Sequence, residues 1–179
     1  MKKILSAATV ALLATAAPAF AATQINVPFT ASNGVATTEA FSGLVRVTVS
    51  GTGFSNGGNV NDAFYATSTQ SRNTGLYQLG FAANGAALKA VSNSIFGGVV
   101  PTYSANNTYS FVLNTGLAQA SLLSFGVLDD QFGDNGGSYT VSVAAVPEPA
   151  TWGMMLVGFG MIGFGLRSYQ RKSTKVTYA

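Results

Sequence analysis

Leu44-Val45-Arg46-Val47-Thr48-Val49 alternates without a break. In an extended chain Val45, Val47 and Val49 fall on one face and Arg46 and Thr48 on the other, the two-residue period of a half-buried strand. Its β-branched residues suit a pleated, packed surface. Working outward, strand-like runs recur at 23–29, 63–67, 76–81, 86–91, 108–113, 122–128 and 138–144. Clusters rich in Gly and Asn separate them, among them Ser55-Asn56-Gly57-Gly58, Ala105-Asn106-Asn107 and Asp134-Asn135-Gly136-Gly137. Residues 82–90 admit one helical turn, with Gly85 opposing anything longer. About eight short strands with tight turns and no amphipathic helix predict an all-β fold, an antiparallel β-sandwich of jelly-roll type, over residues 22–146.

Composition narrows the function classes. Charged residues make up only 8% of the 179, and cysteine and histidine are both absent. That excludes a disulfide framework, a zinc–thiolate site and a thiol nucleophile. The net charge of +3 comes from the two ends. Lys2 and Lys3 stand at one, and Arg167, Arg171, Lys172 and Lys175 at the other. Between them Arg46, Arg72 and Lys89 face Glu39, Asp62, Asp129, Asp130 and Asp134, so the middle is slightly acidic. No basic face exists to neutralise phosphates, which points away from nucleic-acid binding.

Both ends carry the marks of targeting. Residues 1–21 combine Lys2 and Lys3, an apolar stretch at 4–17 and the small-x-small triplet Ala19-Phe20-Ala21, the pattern of a secretory signal helix cut after Ala21 by signal peptidase once the export translocase has engaged it. At 147–179, Pro147-Glu148-Pro149 interrupts regular structure, since each proline removes a donor and biases its predecessor toward extended geometry. Trp152 to Leu166 then runs without a charge. Those residues reach about 22 Å as a helix, against a hydrocarbon core of about 30 Å. A transmembrane helix over 151–166 therefore needs little tilt and local thinning. Trp152 fits an interfacial anchor, and Arg167, Arg171 and Lys172 form a basic stop that stays in the cytoplasm.

The order Pro147-Glu148-Pro149, then Trp152, a Gly-rich apolar helix and a basic cluster resembles the PEP-CTERM sorting domain of the Pro-Glu-Pro-x-x-Trp-Ala type. Gly153 stands where that type has Ala. The resemblance implies an exported protein of the cell envelope or extracellular matrix. It implies anchoring by the C-terminal helix before processing, an exosortase-like membrane protease as partner, and a setting of exopolysaccharide and biofilm.

Within the middle domain the richest segment is Leu128-Asp129-Asp130-Gln131-Phe132-Gly133-Asp134-Asn135-Gly136-Gly137. Its hard oxygen donors suit calcium better than a soft metal. An ordinary turn, with Asp and Asn capping backbone donors, accounts for the same residues. The segment, with Asn61-Asp62-Ala63-Phe64, resembles calcium-dependent galactose-binding bacterial lectins. That resemblance implies Asp134 and Asn135 as paired ligands and Asp129 or Asp130 as an upstream one. The upstream spacing is shorter here, and no histidine is available for sugar contacts.

Two catalytic patterns lack their settings. Gly53-Phe54-Ser55-Asn56-Gly57 matches a nucleophile elbow, yet no histidine exists to serve as base, and a turn is expected there. Gly158-Phe159-Gly160-Met161-Ile162-Gly163 matches a dinucleotide fingerprint, but it sits in the apolar tail, where glycines permit close helix approach. The acids show no pairing suited to glycoside hydrolysis. Tyr65, Tyr77, Tyr103, Tyr109 and Tyr139 number enough for a sugar-stacking face, though strand aromatics ordinarily pack inward. The expectation is a non-enzymatic structural or adhesive module, with a carbohydrate-binding, calcium-assisted module for exopolysaccharide as the alternative.

Overall fold

The computed structural model describes residues 22–55, 58–147 and 149–172. The expected signal helix with Ala19 and Ala21, Glu148 of the sorting motif, and residues 56–57 of one turn lie outside those residues.

Two antiparallel sheets form the body, in agreement with the expected β-sandwich. The alternating stretch is β3 (Leu44–Ser50), since β1 (Thr23–Pro28) and β2 (Val35–Phe41) precede it. Val45, Val47 and Val49 are fully buried and Arg46 is exposed. The larger sheet runs β10 (Thr108–Asn114), β3, β12 (Gly136–Ala145), with β1 on the far side of β12. The short strand β4 (Gly53–Ser55) continues the line of β3 without a change of register: Ser50 faces Thr140 and Gly53 faces Gly137. From β4 the sheet extends through β5 (Asn59–Asn61), β6 (Tyr65–Ala66) and β7 (Ser71–Arg72). The second sheet is β2, β11 (Ser121–Val127), β8 (Leu79–Ala83) and β9 (Lys89–Ala90).

The core is the inward half of each strand. Ile25 and Val27 on β1, Phe111 and Leu113 on β10, Leu123 and Phe125 on β11, and Val141 and Val143 on β12 are all buried. Each fully buried Val, Leu or Phe contributes about 1.5–3 kcal/mol, which offsets the entropy of ordering the strands. Rings pack side by side within each sheet, Phe81 with its cross-strand partner Phe125 at 5.7 Å and Phe29, just after β1, with Tyr139 on the neighbouring β12 at 4.5 Å between centroids.

Several elements depart from the sequence reading. β2 lacks alternating apolar residues, because Thr37 takes an inward position. Its hydroxyl donates to Glu39 O at 2.7 Å and accepts from Leu123 N at 3.1 Å, closing the register shift between Leu122 and Ser124. The run at 76–81 becomes a strand only from Leu79. Tyr77 sits at φ +64°, a left-handed conformation outside any strand. No helical turn forms over 82–90. Asn84 and Gly85, at φ +55° and +69°, instead make a tight turn closed by Ala86 N to Ala83 O, and a short 3-10 turn follows at Val91–Asn93.

Residues Pro149–Lys172 form the helix α1. Met154, Leu156, Phe159, Met161 and Phe164 are exposed along it, so these apolar side chains do not join the sandwich core. Among the described residues no helix is long and apolar enough to cross a membrane. The expected span at 151–166 is thus a helix, but not a full-length span. Glycines at 153, 158, 160, 163 and 165 dilute its hydropathy, and Arg167 closes the run.

Candidate functional site

The acidic loop joins the end of β11 to the start of β12. Asp129 opens it as an Asx turn: Oδ1 accepts from Asp130 N at 2.7 Å and Gln131 N at 3.3 Å. Its Oδ2 is buried and accepts no hydrogen bond. At the other end of the loop Asn135 is only 8% exposed. Its Nδ2 donates to Phe29 O at 3.1 Å, while its Oδ1 is buried without a partner. Asp130, Gln131 and Asp134 are exposed. Buried acceptors left unpaired are uncommon in folded proteins. Two of the three found among the described residues belong to this loop, and the third is Asn107 Oδ1 before β10. Among the described residues no group of three or more His, Cys, Asp or Glu is placed to hold a metal. Any cation here would therefore be held by mixed amide and carboxylate oxygens rather than by a carboxylate cage.

The loop is locked into the strands that follow. Gly137 has φ +93°, and a Cβ there would meet Gly53 Cα at 2.6 Å. A Cβ on Gly136 would strike the Phe54 ring at 2.2 Å. Phe54 is 45% exposed and pairs with the exposed Val60 across β4 and β5. This apolar pair beside the loop was not foreseen, because 53–57 reads as a turn; Gly53–Ser55 is strand instead. Ser55 is fully buried and its Oγ accepts from Asn61 Nδ2 at 3.2 Å, so it is no exposed nucleophile.

Tyr77 abuts the same loop. Its N–H donates to Leu128 O at 2.7 Å, and its carbonyl accepts from Asn73 Nδ2 at 2.7 Å. The second Asn73 Nδ2 hydrogen bond goes to Asn61 Oδ1 at 3.1 Å. These bonds hold the left-handed backbone of Tyr77, which costs about 1–3 kcal/mol.

Asp62, within the Asn61–Phe64 stretch, lies wholly inside the domain. Its Oδ1 accepts from Phe64 N at 2.9 Å and Tyr65 N at 2.8 Å, and its Oδ2 accepts from Tyr109 Oη at 2.7 Å. Tyr139 Oη donates to the Asp62 carbonyl at 2.9 Å. The carboxylate is thus an internal tether and not a ligand presented to solvent. Burial raises the hydroxyl pKa of Tyr109, and its bond to Asp62 raises it further. Burial also pushes Tyr139 well up, with the Asp62 charge adding to it. These two tyrosines belong to the core. Tyr65 and Tyr103 are half-buried, their rings 5.6 Å apart edge to face. The five tyrosines therefore do not form one sugar-stacking face.

In the tail, Pro147 is exposed, Pro149 opens α1, and Trp152, Arg167, Arg171 and Lys172 lie along it. Gly158, Gly160 and Gly163 lie inside α1, preceded by nine helical residues and not at a strand-to-helix turn, in keeping with the tail reading.

Among solved structures the chain is similar to a domain described as the EclA N-terminal domain, a PllA-like lectin, at 16% identity. That likeness covers 68% of this chain and 94% of that one, with a TM-score of 0.38. No curated protein matches the chain. A family model does match its end, from the last residue of β12 to the last residue of α1. The chain carries a PEP-CTERM protein-sorting motif at residues 145–172, the mark of an exported, envelope-targeted protein handled by an exosortase.

Proposed function

We propose that this protein is an exported envelope or matrix component whose β-sandwich is delivered by its tail to a membrane exosortase and released there. The motif match at 145–172, on a helix whose apolar side chains from Met154 to Leu166 stay exposed, carries the reading. In it the segment 1–21 directs export and is removed after Ala21. Pro147, Glu148, Pro149 and Trp152 are what the exosortase recognises, and Arg167, Arg171 and Lys172 hold the far end in the cytoplasm. The apolar part of α1 enters the bilayer by thinning it locally. Mass spectrometry of the envelope fraction tests this: the mature domain is expected to lack α1, and an intact Tyr178-Ala179 end would overturn it.

The sandwich itself acts as a structural or adhesive module, not an enzyme; no histidine or cysteine is present to serve as base or thiol nucleophile. A second reading, a calcium-assisted site for exopolysaccharide, is favoured by the unpartnered Asp129 Oδ2 and Asn135 Oδ1. With the exposed carboxylates of Asp130 and Asp134 they would supply part of the six to eight oxygens that calcium takes. Bound calcium would fix the loop and offer a hydroxyl-binding charge. Millimolar calcium is expected to raise the melting temperature, and an unchanged value would remove this reading.

A further inference from the structure

β12 runs straight from the acidic loop to the tail, so the two lie at opposite ends of a strand roughly 30 Å long. The tail end can be mapped residue by residue. Val146 N donates to Leu44 O, Leu44 pairs with Asn114, and Asn114 N donates to Ser94 O. Ile95 then bridges to Leu113, and Phe96 N donates to Val112 O. Residues 94–96 thus line the outer edge of β10 near the end of the sheet from which the chain leaves for α1. After Phe96 the consecutive Gly97 and Gly98, at φ +87° and +72°, turn the chain, with Gly98 N bonded to Ile95 O. The turn leaves Phe96 61% and Val99 77% exposed. Leu122, at the start of β11, is a further exposed apolar residue toward this end. All four aspartates lie toward the other end.

We propose that Phe96 and Val99 rest in the headgroup region of the bilayer while the tail is inserted, orienting the domain with its acidic loop away from the membrane. This rests on the tail entering the membrane. Only residues 146–148 separate β12 from α1, a reach of about 10 Å. The uncharged stretch 152–166 is shorter than the hydrocarbon core, so it must sink to its full length. That draws the adjoining end of the sandwich onto the surface. An aromatic and a valine on an exposed turn suit that interface, where apolar side chains meet wet headgroups. A Cβ added at Gly97 or Gly98 would meet nothing within 4 Å, so the turn faces open space on that side.

Tryptophan depth measurements on the full chain test the proposal. The chain holds one tryptophan, Trp152. The native chain, Trp152→Phe/Phe96→Trp and Trp152→Phe/Val60→Trp are reconstituted into phosphatidylcholine–phosphatidylglycerol vesicles containing lipid brominated near the glycerol. Quenching of Trp152 and of the tryptophan at 96, with that at 60 unquenched, is the expected result. Quenching of Trp152 alone overturns the orientation and leaves tail insertion standing. An unquenched Trp152 overturns both. Equal quenching at 96 and 60 means indiscriminate adsorption and overturns the proposal. So does emission at 96 already blue-shifted without vesicles, which assigns the patch to a second copy.

Discussion

Tyr109 donates its phenolic hydrogen to Asp62 Oδ2 across 2.7 Å, tying the edge strand β10 to the segment between β5 and β6 beneath the surface. Two backbone amides satisfy its Oδ1, and among the described residues the Tyr109 hydroxyl is the partner of Oδ2. Tyr109→Phe leaves that oxygen buried and unpaired, and is expected to lower unfolding free energy by about 1–3 kcal/mol in a urea titration. Asp62→Ala costs more, because it strands three donors at once. A Tyr109→Phe protein as stable as the native one would mean that water reaches this carboxylate.

The same cluster sets an alkaline limit. Tyr109 and Tyr139 hold their protons more tightly folded than unfolded, because burial disfavours the phenolate. Both pKa values are raised, so their contribution is complete below about pH 10, where unfolded tyrosine begins to titrate, and declines above it. Each such tyrosine adds about 1.4 kcal/mol of loss per pH unit in that range. The melting temperature should fall above pH 10, and Tyr109→Phe should flatten the fall.

Gly53 has no room for a side chain. A Cβ there would meet Phe29 Cδ2 at 2.5 Å and Gly136 O at 2.6 Å, one a core ring and the other backbone. Gly53→Ala is expected to destabilise by about 1–3 kcal/mol through overpacking. Gly133→Ala, in the acidic loop with nothing within 4 Å, should stay within about 0.5 kcal/mol. Thermal unfolding of the pair decides it, and equal effects would refute the packing argument.

Asn135→Asp converts a buried amide that donates to Phe29 O into a carboxylate facing that carbonyl. Without cations the change is expected to cost about 2 kcal/mol or more. Calcium at millimolar concentration should return most of that loss. Loss of stability with no recovery in calcium would leave Asn135 as a plain structural amide.

Legibility in the sequence followed side-chain alternation. β1, β3, β10, β11 and β12 were readable because apolar residues recur at every second, inward position, as in Val45, Val47 and Val49 against Arg46. β2 was hidden because its inward Thr37 works through its hydroxyl, bonding Leu123 N across the sheet. The strands β4, β5 and β7, of two or three residues, are too short to show a period, while β6 keeps only Tyr65–Ala66 of the expected run at 63–67; the line is built out from the edge that β12 offers at Gly136 and Gly137. At the candidate loop the residue types were legible and their placement was not. Asp129 and Asn135 turned inward, Asp130 and Asp134 outward. The tail was readable as a helix, whereas its shortfall as a span follows from five glycines and Arg167.

What the sequence by itself determined is local: the alternation that makes strands, the glycine and asparagine turns, and the ordered tail motif at 145–172. What the tertiary structure alone decided is which polar groups meet. Asp62 reads as one more surface acid until β10 brings Tyr109 to it, and Asn135 as one more turn residue until β1 brings the Phe29 carbonyl. A strand pattern fixes which side of the sheet a residue takes, but not its partner across the core, because that partner is set by the pairing of strands distant in the chain.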